Sequence, residues 1–182
     1  MPKLHLISDD VLIRGCLRGE QKSQRQLFDR LAPKMMAVCL RYAGGERETA
    51  EDILQEGFIT LFSRLDSYQG KGSFEGWARK IFVNTALMHL RRTDALKLSD
   101  DISEARSLSS EAATPVQQMG YQELLGLISK LPPDARTVFN LYVIEGYSHK
   151  EIAAMLGFTE ATSRSKLQRA RLKLQEMIKD KI

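Results

Sequence analysis

The stretch from Gly146 to Leu174, GYSHKEIAAMLGFTEATSRSKLQRARLKL, constrains this chain more than any other. Ser148 is followed three residues later by Glu151, the spacing at which a hydroxyl and a carboxylate satisfy two orphan backbone donors at a helix start. A helix is expected there, with Ile152, Ala153 and Leu156 as its short apolar face. Gly157 can adopt the left-handed backbone that ends a helix and turns the chain. Thr159 can cap a second helix, in which Leu167, Ala170, Leu174 and Met177 recur at helical spacing while Arg164, Lys166, Arg169, Arg171 and Lys173 fill the other faces. Two helices joined by a tight turn, with small Ala153 at their crossing and a basic second helix, make a helix-turn-helix. A hairpin with a merely solvated basic face is the plainer reading of any one charged helix. Here capping, crossing residue, turn glycine and cation placement all agree.

The charge distribution points the same way. Lys and Arg number 27 against 23 Asp and Glu in 182 residues, so the net charge is only +4. Seven cations and three acids nevertheless fall between Glu160 and Ile182, against two cations and five acids between Thr93 and Gly120. A local basic stripe is the footprint of a phosphate-binding surface. Cys16 and Cys39 lack metal or disulfide spacing and read as small buried or half-buried side chains. His5, His89 and His149 are scattered, with no nucleophile and base in a recognisable arrangement. No catalytic residue, metal, cofactor or small-molecule substrate is therefore expected. No long apolar run or signal-peptide core is present, so no membrane insertion is expected and the expected location is cytoplasmic.

Taken in order, the chain reads as all-α, with two small helical domains joined by a flexible linker. After a tail over Met1 to Ile7, Ser8 to Asp10 offer a cap for a helix through Val11, Leu12, Cys16 and Leu17 that ends near Gly19. Leu27, Leu31, Met35, Val38 and Leu40 pattern the next helix, where Pro33 predicts a kink or break. A third helix spans Thr49 to Leu65, with Thr49 and Asp52 resembling a capping box and Ile53, Leu54, Phe58, Leu61, Phe62 and Leu65 forming its apolar stripe. Asp52, Gln55, Glu56 and Ile59 lie on another face at i, i+3, i+4 and i+7, which by itself reads as an ordinary solvated face. DSYQGKGS, from Asp66 to Ser73, has the chemistry of a loop.

The helix from Phe74 to Arg92 mixes Phe74, Trp77, Arg79, Lys80, Asn84, Arg91 and Arg92, the aromatic, cationic and amide groups that unpaired nucleic acid requires. Ile81 and Phe82 are core by spacing, and Trp77 fits either core or surface. Residues 94–116 read as the linker between domains at 8–93 and 117–182. Beyond it, Met119, Leu124, Leu127 and Ile128 pattern a helix over Gln117 to Lys130. Leu131-Pro132-Pro133-Asp134 then interrupts and restarts the chain, with Val138, Phe139, Tyr142 and Val143 facing inward.

AEDILQEGFITLFSRLDSY, FEGWARKIFVNTALMHLRR, LPPDARTVFNLYVIEGYSHKEIAAMLG and SRSKLQRARLKL, in this order and across nearly the whole chain, resemble a bacterial RNA polymerase sigma factor of the extracytoplasmic-function (ECF) group. The resemblance implies a region-2 domain at 8–93 and a region-4 domain at 117–182. It makes Asp52, Gln55, Glu56 and Ile59 the surface that docks on the beta-prime clamp helices of core polymerase, in place of a plain solvated face, and it adds the beta flap as a contact. Tyr68, Lys71, Phe74, Trp77 and Asn84 would read the melted minus-10 strand, the Tyr68 to Phe74 loop receiving a flipped base, while Arg79, Lys80, Arg91 and Arg92 follow the backbone. Arg164, Ser165, Gln168 and Arg169 would face the major groove of the minus-35 element, with Lys166 and Arg171 on phosphates. An anti-sigma factor, often membrane-bound, is the further implied partner. Ser163 departs from the family pattern, which has an apolar residue there. Two rival functions remain on the residues alone. A stand-alone helix-turn-helix regulator would give no promoter-specific initiation with core polymerase, and a helical protein-binding adaptor would not need Arg164 or Arg169.

Overall fold

The computed structural model of the chain describes residues 8–97 and 116–179. Among these the secondary structure is helical, with no strand. The chain divides into two compact units, one of residues 1–39 and 47–104, the other of residues 40–46 and 105–182. The tail over 1–7 and most of the predicted linker, 98–115, lie outside the described residues.

The first unit is built from α1 (Asp9–Leu17), most of α2 (Gln21–Tyr42), α3 (Arg47–Ser63) and α4 (Phe74–Lys97). Its core holds Leu12 and Cys16 of α1, Leu27, Leu31, Met35 and Val38 of α2, Ile53, Phe58 and Leu61 of α3, and Ala78, Phe82 and Ala86 of α4, all buried. Both cysteines are buried, and no disulfide joins them. Pro33, where a kink or break is expected, lies inside α2, which continues through it without a break. A proline there costs about 3 kcal/mol. The four buried side chains of α2 on either side of it outweigh that, at about 1.5–3 kcal/mol each. Leu40, by contrast, is only half-buried. The expected cap at Thr49 is also corrected, because α3 starts two residues earlier, straight after the turn made by Gly44 and Gly45 at φ 69° and 84°. α4 runs on to Lys97, into the segment expected to be linker.

The second unit contains α5 (Val116–Ser129), α6 (Pro133–Phe139), α7 (His149–Leu156) and α8 (Glu160–Lys179), with a π-helical turn over Asn140–Ile144 between α6 and α7. Leu127, Ile128, Leu131, Ala135, Ala170 and Leu174 form one buried cluster. Arg136 is buried beside it and donates from Nη1 to the carbonyls of Ser129 at 3.0 Å and Leu131 at 3.2 Å. Burial lowers its pKa from the ordinary arginine value, and those two carbonyls of the α5–α6 turn supply the acceptors a buried guanidinium needs. Within the same unit Arg41 Nη2 meets Glu145 Oε1 at 2.9 Å, both side chains buried.

Three expected core positions are wrong here. Tyr142 and Val143 are 36% and 48% exposed, and Asn140 and Leu141 are buried in their place. The cause is the π-helical turn, in which Glu145 N–H donates to Asn140 O five residues back. One extra residue per turn rotates the side chains after it away from the α-helical register. Leu124 is likewise exposed.

Close approach between α3 and α4 depends on Gly57. A Cβ built there lies 2.3 Å from the ring of Phe82, which is fully buried and has nowhere to move. Alanine in a helix interior gains at most about 1 kcal/mol over glycine. Overpacking a closed core costs about 1–3 kcal/mol. Gly57→Ala is therefore expected to destabilise the first unit by about 1–2 kcal/mol net, read as a lower urea midpoint; an unchanged midpoint would show that the two helices can separate freely.

Candidate nucleic-acid interface

The helix-turn-helix forms as its sequence requires. Ser148 N–H donates to Glu151 Oε2 at 2.8 Å and Glu151 N–H donates to Ser148 Oγ at 3.3 Å, which completes the capping box of α7. Gly157 takes φ 74°, and the N–H groups of Gly157 and Phe158 both bond to Ala153 O. Thr159 Oγ1 accepts from Thr162 N–H at 3.1 Å and caps α8. Helix α8 packs against α6 and α7 through a buried ridge of Ser163, Leu167, Ala170 and Leu174. Arg164, Ser165, Gln168, Arg169 and Arg171 are all exposed on its remaining surface. Arg164, Gln168 and Arg171 fall at i, i+4 and i+7 and share one strip, with Ser165 and Arg169 beside it.

Arg164 is paired with Glu160 at 2.8 Å, one turn away, and both groups are exposed. Such a pair contributes about 0.3–0.5 kcal/mol, less than the 1–3 kcal/mol of a good base contact, so the guanidinium is free to leave it. Lys166 is different. Its side chain is only 21% exposed, its Nζ is 2.5 Å from Asp134 Oδ2 on α6, and it stands 5.8 Å from the centroid of the Phe158 ring. It is tied to its own domain and does not share the open strip.

In the first unit, a 3-10 turn over Leu65–Ser67 leads into the loop before α4. Gly70 and Gly72 take φ 71° and 81°, and Tyr68 Oη donates to Gly72 O at 2.9 Å, which closes the loop on itself. Ser73 Oγ accepts from Gly76 N–H at 3.1 Å at the start of α4. Tyr68, Phe74 and Trp77 form a three-ring cluster, with centroids 5.1 Å (Tyr68–Phe74), 5.4 Å (Tyr68–Trp77) and 5.5 Å (Phe74–Trp77) apart. Phe74 is only 3% exposed, so its ring supports the half-buried Tyr68 and Trp77 and does not itself offer a stacking face. The sequence expectation for Phe74 is corrected to that extent.

Trp77, Lys80, Asn84 and Arg91 fall within about 60° of one another around α4, at 100° per residue. Lys80, Asn84, Arg91 and Arg92 are exposed, Arg79 is half-buried, and Lys71 stands exposed on the loop. Met88, which fits a core position by spacing, is instead exposed at the edge of that strip. On α3, Asp52, Gln55 and Ile59 are exposed, Ile59 by 64%. Glu56 is not independent of α4, since Arg92 Nη2 donates to its Oε2 at 3.0 Å. One residue expected on polymerase thus holds one expected on DNA, in an exposed pair of about 0–1 kcal/mol.

Residues 27–95 match the family described as Sigma-70 region 2, and residues 121–174 match Sigma-70, region 4. The ECF RNA polymerase sigma-E factor of Escherichia coli K12 is 32% identical over 177 residues, covering 91% of each chain. The chain belongs to the ECF sigma factors. The sigma-E factor of Haemophilus influenzae is 29% identical over 187 residues, covering 97% of this chain and 96% of its own. The solved sigma factor RpoE of Bartonella quintana, in complex with the anti-sigma factor NepR, shares the fold at TM-score 0.59 and 22% identity, over 85% of this chain and 96% of that one. Among the described residues of this sigma factor, no group of His, Cys, Asp and Glu could hold a metal ion, and no helix is long and apolar enough to cross a membrane.

Sequence reasoning left out the interior of the helix-turn-helix. His149 Nδ1 lies 2.8 Å from Oγ of the buried Ser163, and its ring stacks on Tyr142 with centroids 4.4 Å apart. The pKa of His149 is lowered by its partial burial and then by Arg164 and Arg171, with Glu160 opposing. The unfolded chain takes up its proton near the ordinary 6.5 and the folded one only at lower pH, so this stability is full above 6.5 and is lost as pH falls below it. The thermal midpoint of the sigma factor is expected to fall between pH 7.5 and 5.5, and His149→Asn to reduce that fall; equal slopes for the two proteins would remove His149 as its source. Ser148→Ala is expected to cost about 1 kcal/mol in thermal or urea unfolding through loss of the capping box.

Proposed function

We propose that this sigma factor binds core RNA polymerase through Asp52, Gln55, Glu56 and Ile59, and that it selects promoters with two DNA-reading surfaces. The first domain, residues 8–93, captures unpaired minus-10 bases at the Tyr68 loop and the Trp77, Lys80, Asn84, Arg91 strip. The second, residues 117–182, reads duplex minus-35 sequence with α8. Residues 94–116 act as the tether between them. The observation that carries this reading is the open strip on α8, where Arg164, Ser165, Gln168, Arg169 and Arg171 stand together opposite the buried ridge. That is the disposition required of a helix that enters the major groove. A glutamine on such a strip can pair bidentately with adenine.

The reaction of transcription belongs to the polymerase, and this chain contributes recognition. Flipping a base into the Tyr68 loop costs a few kcal/mol, and ring stacking of about 1–3 kcal/mol per base offsets it, so the loop helps to hold strands apart as they melt. Phosphate contacts from Arg79, Lys80, Arg91, Arg92, Arg169 and Arg171 supply salt-dependent affinity, and base contacts supply selection. The protein works in the cytoplasm, where the polymerase is, and an anti-sigma factor holds it inactive. The solved sigma factor in complex with its anti-sigma factor supports the last point.

Transcription with purified core polymerase tests the whole. Adding the protein is expected to give initiation at defined promoters, and no promoter-specific transcript would end the proposal. Arg164→Ala and Arg169→Ala should each lose minus-35 selection while polymerase binding is kept. Glu56→Lys together with Ile59→Asp should lose polymerase binding. In salt titrations of promoter binding, Arg169→Ala should reduce the slope by about 1. Lys166→Met should change it less, because Lys166 is already engaged with Asp134; an equal change would mean that Lys166 leaves Asp134 on binding.

A further inference from the structure

The buried hydroxyl of Ser163 is unused by any reading of α8 as a set of exposed contacts. Ser163 is 0% exposed, lies on the inward ridge, and its Oγ has His149 Nδ1 as its side-chain partner at 2.8 Å. Apolar packing by Leu167, Ala170 and Leu174 is non-directional and leaves a helix some freedom to roll about its axis. A hydrogen bond is directional and removes that freedom. His149 is itself held, since its ring stacks on Tyr142 of the π-helical turn at 4.4 Å between centroids and 21° between planes. Three side chains thus connect the π-helical turn, the first residue of α7 and the residue before Arg164.

By position alone either atom of this pair could donate, but only donation from Ser163 Oγ to Nδ1 gives the buried hydroxyl proton this acceptor. Satisfying it requires an unprotonated Nδ1, hence a neutral ring carrying its hydrogen on Nε2. Charging the ring places a proton on Nδ1, reverses the bond and leaves the hydroxyl proton without that acceptor in a buried site. The groups around the ring mostly oppose such a charge. From α8, Arg164 and Arg171 disfavour it and Glu160 favours it. Tyr142 faces it from the π-helical turn, and Lys150 and Glu151 follow it on α7.

We propose that His149, in its neutral Nε2–H form, is a positioning residue that sets the rotation of α8 through Ser163, so that duplex selection by Arg164 and Gln168 depends on it. The inference rests on α8 being the duplex reader. It is tested with the full-length protein and core polymerase. Promoters are first mapped by sequencing transcript starts, and selectivity is then measured as affinity for the mapped promoter over affinity for the same DNA with its minus-35 element scrambled.

His149→Phe keeps the stack and loses the bond, and is expected to lower selectivity about tenfold, the loss of one good base contact. The pair His149→Phe with Ser163→Ala removes the orphaned hydroxyl, and should regain the melting temperature without regaining selectivity. His149→Asn keeps an uncharged hydrogen-bonding group near the Nδ1 position, and should stay within about threefold of the parent at pH 7.5, less than half the tenfold change on a free-energy scale. As pH falls below the ordinary histidine value of 6.5, the parent should lose selectivity once the folded ring takes up its proton, and the Asn variant should not. In 15N spectra of the parent, Nδ1 should show as unprotonated at pH 7.5. Parent-like selectivity of His149→Phe, or full recovery of selectivity in the double variant, overturns the inference while leaving the DNA-reading role in place. If the parent protein itself does not distinguish the two DNAs, the role of α8 falls and the inference falls with it.

Discussion

The burial of the α8 ridge is the constraint on which the DNA-reading half of this protein depends. Leu167 and Leu174 are nearly fully buried, on a helix that packs against α5, α6 and α7. Burial of a leucine contributes about 1.5–3 kcal/mol. An exposed ion pair such as Arg164 with Glu160 contributes well under 1 kcal/mol. Apolar contact therefore decides which side of the helix is buried, and the cations take what remains. That division leaves Arg164, Ser165, Gln168, Arg169 and Arg171 outward. It also draws Lys166 to the edge of the packed side, where Asp134 holds it.

The first unit obeys the same logic with a tighter tolerance. Gly57 brings α3 close to α4 because only hydrogen fits against the Phe82 ring. With those helices locked, the exposed strip of α4 has one orientation, and the loop before it ends against the same helix through Tyr68, Phe74 and Trp77. The two glycines of that loop are at positive φ, a backbone that other residues adopt at a cost. The Tyr68 hydroxyl bond to Gly72 then holds the loop closed without any partner. A pre-shaped loop spends less ordering entropy when a nucleotide arrives.

Local chemistry was the most legible part. The Ser148–Glu151 box, the Gly157 turn, the Thr159 cap and the loop glycines each act over three or four residues, and each formed as its spacing required. Errors arose where a distant residue or a change of helical period intervened. The π-helical turn at Asn140–Ile144 moved Tyr142 and Val143 outward, and no periodicity of 3.6 could show that. Thr49 had cap chemistry, but α3 had already begun at Arg47. Phe74 had the side chain for stacking and was taken instead into the core, beneath two other rings.

By itself, the sequence determined that the chain is helical, where its main turns fall, that it belongs with the ECF sigma factors, and which side chains are chemically able to read DNA. These follow from apolar spacing, capping and residue type, all local properties. Only the tertiary structure decided which of those side chains are available. Lys166 is bound to Asp134, Glu56 to Arg92, and Ser163 to His149, over 32, 36 and 14 residues of chain. Pairings at such distances depend on how helices pack, because packing brings together groups that periodicity can only assign to a face.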